Sequence, residues 1–239
     1  MDSDDPFKLN YPAPSALRPL LGLTVLVIED SRYACEALRL LCLRSGARIR
    51  RADTMRAARR HLQVYRPSVA IIDLGLPDGN GADLIQDLVE GQHRPDVVLG
   101  SSGDTGAEMR ALGAGADGFL PKPVTSLAVF QEAILSHLPA DRRPAGPRVL
   151  PVEDVQPDPI AYRDDMAHVA DMLEEVADAR TADYVAQFVT GVARSAEDRD
   201  LVMAAEALAA KRARGDGAAS EIARIAGLVQ ERLSERVAI

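Results

Sequence analysis

Val69-Ala-Ile-Ile-Asp73-Leu-Gly-Leu-Pro-Asp-Gly-Asn-Gly81 decides how the chain folds. An unbroken apolar run ends on a carboxylate and enters a turn rich in Gly, Pro, Asp and Asn. A helical pattern follows over Gly81–Glu90. A short apolar run without alternation is the mark of a strand covered on both faces, and the turn chemistry sets its end. The same unit recurs on either side. Apolar runs at Thr24–Ile28, Ala47–Arg51, Val97–Gly100 and Gly118–Pro121 alternate with helical patterns at Arg32–Arg44, Met55–Tyr65, Thr105–Gly113 and Ser126–Leu138. Five strand–helix units predict an α/β domain, a doubly wound five-stranded parallel sheet with helices on both faces.

In such sheets chemistry gathers beyond the C-terminal strand ends, where strand order reverses. Those ends carry Glu29 and Asp30, Asp73, Ser101 and Lys122. Three carboxylates brought together repel by about 4 kcal/mol per pair at 4 Å in an effective dielectric near 20. Lys122 supplies one compensating charge. A hard divalent cation with oxygen ligands supplies another, and Mg2+ suits a few carboxylates with carbonyl, water and phosphoryl oxygens. In a neutralised site Asp73 can attack a phosphoryl group to give an acyl phosphate, and the Ser101 hydroxyl can donate to the new oxygens. Ser102 is adjacent, and a register slip exchanges the two. Ser101 is preferred because it directly follows Val97-Val-Leu-Gly.

Val25-Leu-Val-Ile-Glu-Asp-Ser, Ile72-Asp-Leu-Gly-Leu-Pro-Asp-Gly-Asn-Gly, Gly100-Ser-Ser-Gly-Asp and Gly115-Ala-Asp-Gly-Phe-Leu-Pro-Lys-Pro resemble, in this order, the receiver domain of two-component response regulators. The resemblance spans about residues 22–139. It implies a flavodoxin-like fold, with Asp73 as phosphoacceptor and Glu29, Asp30, Asp73 and the Gly75 carbonyl around Mg2+. It further implies Ser101 as switch hydroxyl, Phe119 as rotating aromatic, Lys122 as phosphoryl-binding cation, and a cis Lys122–Pro123 bond. The implied partner is a sensor histidine kinase or a histidine phosphotransfer protein. One departure stands out: positions two beyond Asp73 and Ser101 are both glycine, Gly75 and Gly103, where the family's side chains border the hydrolytic water. Asp78 and Asp83 fit the turn and the helix start.

The remaining chain is organised by proline and charge. Residues 1–21 read as an irregular tail. Pro139, Pro144, Pro147, Pro151, Pro157 and Pro159 mark residues 140–158 as a linker, expected to be extended. Beyond it, residues 159–239 show four amphipathic helical patterns, about 160–179, 182–194, 197–213 and 219–237, which predict an all-α bundle that dimerisation could extend. Tyr162, Met166, Val169, Leu173 and Val176 form the first stripe. The net charge is -8, and residues 151–239 hold 18 acids against 10 bases while the first 150 residues balance. Cys35 and Cys42 are seven apart on one helical face and read as reduced core residues. The acidic start and an apolar run of half a membrane span predict a cytoplasmic protein without a membrane anchor.

These features predict a phosphorylation-controlled switch, not an enzyme with an external product, whose helical domain acts on a downstream protein. One alternative is a DNA-binding regulator. Ala223-x3-Gly227-x5-Leu233 has helix-turn-helix spacing, with a recognition helix near Val229–Val237 and Arg232 and Arg236 as phosphate contacts. The acidic surroundings argue against it. Another is a degenerate histidine phosphotransfer bundle, since His168 lacks the following lysine and small residue. A Mg2+-dependent phosphatase would need a second proton-donating acid and a cap.

Overall fold

The computed structural model describes residues 13–174 and 179–235. Five parallel strands, β1 (Thr24–Ile28), β2 (Arg48–Ala52), β3 (Val69–Asp73), β6 (Val97–Ser102) and β7 (Gly118–Pro121), lie in the order β2-β1-β3-β6-β7. Between β3 and the rest of the sheet's chain sits a small antiparallel hairpin, β4 (Gly75–Leu76) with β5 (Gly79–Asn80). The order reverses between β1 and β3, and the register places Asp73 beside Ser101. Helices α1 (Arg32–Ser45), α2 (Met55–Val64), α3 (Gly81–Glu90), α4 (Ala107–Gly113) and α5 (Leu127–Leu135) fill the crossovers.

The pleat divides the apolar runs between two cores. Val25, Val27, Ile71 and Leu99 pack with α1 and α5, whereas Leu26, Ile28, Ile72 and Val98 pack with α2, α3 and α4. The edge strand Arg48-Ile-Arg-Arg-Ala52 is charged and largely exposed, which discourages further strand pairing. Ser31, Thr54, Asn80 and Ser126 cap α1, α2, α3 and α5 with their side chains. The Asp78 carboxylate accepts from the first two amides of α2, at 2.9 Å each. Gly81 is required by close approach: a Cβ there would stand 1.9 Å from the Asp73 carbonyl oxygen.

Two flanking segments are more ordered than their composition suggests. Leu20, at the end of the N-terminal tail, is buried in the α1/α5 core beside Leu23. The Pro-rich linker starts with a short 3-10 turn (Ala140–Arg142), and Val155 then enters the same core. Its amide donates to the Thr125 carbonyl at 2.9 Å, and Leu127 donates to Glu153. The linker is therefore extended but pinned to the receiver side, because an apolar side chain at 155 finds a place beside α5.

Four helices follow: α6 (Pro159–Glu174), α7 (Ala179–Ser195), α8 (Arg199–Arg214) and α9 (Ala219–Ser234). Met166, Val169, Val185, Val189, Leu201, Leu208, Ile225 and Val229 form a third core. Of the first stripe, Tyr162 and Leu173 pack against this core, while Val176 lies outside the described residues. Asp198 caps α8 and ties three helices together, accepting from the Tyr162 hydroxyl at 2.8 Å and from Arg232 Nε at 2.7 Å.

The helix-turn-helix spacing does not form a turn. α9 runs without interruption through Gly227, and its Ile225 and Val229 are wholly buried. Glycine at a helix centre is unfavourable but tolerated when a buried apolar face holds the helix together. Arg232 points its charge into the bundle, at Asp198; Arg236 and Val237 lie outside the described residues. Among the described residues, no helix is long and apolar enough to cross a membrane.

Candidate functional site at the strand ends

β1, β3 and β7 deliver the charged residues that the sequence marks. Lys122 Nζ stands 2.7 Å from Glu29 Oε2 and 3.2 Å from Asp73 Oδ2. Ligand oxygens of Glu29, Asp30 and Asp73 lie within 4.8 Å of one another, a set that can hold a hard divalent cation. Glu29 is already committed on both oxygens, since Oε1 accepts from the Ser31 amide at 3.2 Å. The oxygens with fewest partners are thus those of Asp30 and Asp73. The Lys122–Pro123 bond is cis.

The electrostatics are those of a site short of positive charge. Burial, with Asp73 and Asp30 nearby, pushes the Glu29 carboxyl well above the usual carboxylate range against the pull of Lys122. Burial and Asp73 push Asp30 up to about 7, although Tyr184 and Lys122 pull it back. For Lys122, burial opposes the charge, but Asp73 and Glu29 outweigh it and hold the ammonium protonated. One lysine therefore serves three acids.

Ser101 and Ser102 are both buried and divide between two environments. The Ser101 hydroxyl donates to the Leu120 carbonyl at 2.9 Å, while Ser102 lines the small cavity shared by Asp73 and Lys122. Ser101 must release Leu120 before it can reach an oxygen bound to Asp73. The Phe119 ring packs in the α2/α3/α4 core, against the place where a Cβ on Gly100 would be. Cys35 and Cys42 are free and buried, and burial pushes both thiols up to about 12.

Helices α6 and α7 also belong to this site, which the spacing of their apolar residues does not reveal. Asp165 of α6 accepts the Ser31 hydroxyl at 2.8 Å and the Arg32 and Tyr33 amides at 2.8 and 3.0 Å, so it caps α1 from outside. The Tyr184 hydroxyl of α7 donates to Asp30 Oδ2 at 2.5 Å. Gln187 Nε2 donates to Asp104 at 3.2 Å, and Arg194 donates to the Gly103 carbonyl. The two unusual glycines now have neighbours. A Cβ on Gly75 would lie 2.4 Å from Gln187 Nε2, and one on Gly103 would lie 3.6 Å from Arg194. The available signal was Asp165 itself, a carboxylate set within the apolar stripe of α6, together with the missing side chains at 75 and 103. His168 is exposed on α6, where its ring meets Phe188 edge-on at 5.6 Å and it lines a cleft with Asp30 and Tyr184.

Comparison with known proteins agrees with the geometry. Residues 25–134 match the family model described as response regulator receiver domain. The KDP operon transcriptional regulatory protein KdpE of Escherichia coli is 35% identical over 99 residues, 41% of this chain and 44% of that protein. KdpE of Mycobacterium tuberculosis is 37% identical over the same shares. The match thus spans less than half the length of these relatives. A putative response regulator from Chloroflexus aurantiacus superposes with a TM-score of 0.44 at 26% identity, covering 48% of this chain and 98% of that one. Residues 25–134 of this chain are a response regulator receiver domain, to which the chain adds a pinned linker and a four-helix bundle.

Proposed function

We propose that the chain is a phosphorylation-controlled response regulator that accepts a phosphoryl group on Asp73 and signals through protein contacts of its helical bundle. The observation that carries this reading is the convergence of Glu29, Asp30 and Asp73 on the single cation Lys122. An Asp73 oxygen attacks the phosphorus in line. The donor's P–N bond, in a phosphohistidine of a sensor kinase or phosphotransfer protein, breaks as the P–O bond forms, and the imidazole leaves with the electron pair. Lys122 stays protonated and neutralises the oxygens that Asp73 receives. Ser101, once freed from Leu120, donates to one of them. The donor set fits Mg2+, which Asp30, Asp73 and the Gly75 carbonyl would hold, with Glu29 orienting Lys122; when bound, the ion supplies neutralising charge to the phosphoryl oxygens.

Intact-mass measurement after exposure to acetyl phosphate and Mg2+ tests the acceptor. One phosphoryl group should add to the native chain and none to Asp73→Asn. Persistence of the adduct in that variant would move the acceptor elsewhere.

A second reading has one observation in its favour: the KdpE relatives are named transcriptional regulatory proteins. Under it the bundle binds duplex DNA with a salt slope near -0.9 per phosphate contact. The acidic bundle and the inward Arg232 favour protein contacts instead, and a duplex titration at two salt concentrations separates the two.

A further inference from the structure

We infer that the basic edge formed by β2 and α2 docks on the acidic face of α6 in a second copy of this chain, so that two copies associate around a two-fold axis. The surfaces lie away from Asp73, and the inference stands without the phosphoacceptor reading.

Charge is sharply divided along the chain. Residues 32–66 hold ten arginines against two acids, Glu36 and Asp53, a local excess of eight positive charges in a protein whose net charge is -8. Five of these arginines, at positions 32, 39, 44, 59 and 66, find an acid within the chain. The other five, Arg48, Arg50, Arg51, Arg56 and Arg60, are exposed and make no ion pair among the described residues. β2 is an edge strand. Its pleat puts Arg48 and Arg50 on the α2 side, with Ala52, and Arg51 on the α1 side, with Ile49. Arg56 and Arg60 stand one turn apart on α2. Like charges at these spacings destabilise one another unless a counter-charge covers them.

The chain carries that counter-charge itself. Residues 151–239 hold 18 acids against 10 bases. Asp158, just before α6, and Asp171 and Glu174 along it are exposed and make no ion pair among the described residues. Within one copy an open cleft of about 630 Å³, walled by Asp53 and Thr54 on one side and Asp164 and Asp171 on the other, separates α6 from the start of α2. The two surfaces nevertheless face the same side of the molecule. A neighbouring hollow of about 510 Å³ has Arg39 and Arg51 on one wall and Asp158 and Asp164 on the other. A basic and an acidic surface side by side are self-complementary under a two-fold rotation. Each edge then meets the other copy's α6, and the assembly closes at two. Repulsion between the whole chains is screened beyond about 10 Å at 0.1 M salt, whereas the facing charges are in contact.

Sedimentation velocity of the full chain at about 0.05 M and about 0.5 M salt tests this. The native chain should be a dimer at the lower concentration and dissociate at the higher. Arg56→Glu/Arg60→Glu and Asp171→Arg/Glu174→Arg should each weaken association about a hundredfold, because like charges then face one another. All four positions are exposed, so circular dichroism should show both variants folded. Mixed in equal amounts, the two variants should form a heterodimer, since each reversed surface meets its complement on the other chain. A native chain that is monomeric at both salt concentrations, dimers that survive both reversals, or variants that fail to associate on mixing would overturn the inference. So would a monomeric chain that needs Arg56 and Arg60 to hold poly-glutamate or duplex DNA, which would give the edge to a foreign polyanion.

Discussion

Two buried acidic places lie a few residues apart along α1 and behave oppositely. At the strand ends, Glu29, Asp30 and Asp73 share one lysine, and the first two are pushed toward the protonated form. At the N-terminus of α1, Asp165 is equally buried, and burial pushes its carboxyl up too, but the Tyr33 and Arg32 amides and the Ser31 hydroxyl pull it back. Asp165 has its partners within the chain, at the positive end of a helix dipole. The strand-end acids share one lysine among three. A buried carboxylate fully supplied with donors fastens two elements together, whereas a group of carboxylates short of cations is poised to take one up.

Breaking the satisfied place should have the largest effect on stability. Asp165→Ala leaves two amides and a hydroxyl without their acceptor, at about 3 kcal/mol. Chemical denaturation of the full chain should show this loss, and an unchanged midpoint would mean the two halves are not fastened at α1. At the unsatisfied place the sign reverses, because a ligand adds stability there. Mg2+ at 100 times its dissociation constant should stabilise the chain by about 2.7 kcal/mol, and Asp30→Ala should remove most of that in thermal melts.

Asp198, half-buried within the bundle, sharpens the contrast. Its charge is met by Arg232 and the Tyr162 hydroxyl, so Arg232→Ala should cost about 2 kcal/mol by denaturation and leave duplex binding unaltered. The cost arises because the arginine that the helix-turn-helix alternative assigns to phosphate points inward, at Asp198.

A further prediction concerns pH. Asp30 is near 7 in the folded chain against 3.8 ordinarily, so the folded state holds a proton that the unfolded state has lost. Stability of the metal-free chain should therefore fall as pH rises from about 4 to 7 and level off above. Relative to native, Asp30→Asn should lack this component, and a parallel pair of stability curves would refute it.

The strand-end residues were legible in the sequence because each follows an apolar run, and strand period and topology leave it one place to go. Asp73, Asp30, Glu29 and Lys122 meet as their positions imply. The four helices were legible for the same reason, from the spacing of Met166, Val169, Ile225 and Val229. What those helices pack against was not. Periodicity reports that a face is apolar but not which partner covers it, and Tyr184 and Gln187 look like ordinary polar residues beside such a face. The turn at Gly227 failed because spacing alone does not break a helix whose flanks are buried. Gly75 and Gly103 were visible as departures; their neighbours in α7 lie more than ninety residues away in the chain.

The most direct test of the account is the position of the acyl phosphate. Borohydride reduction of the acetyl phosphate-treated chain converts a phosphorylated aspartate to homoserine, which peptide mass mapping locates. The account requires homoserine at position 73 and at no other residue. Homoserine at Asp30, Asp104 or Asp165, or its absence from a chain that has gained a phosphoryl group, would contradict it.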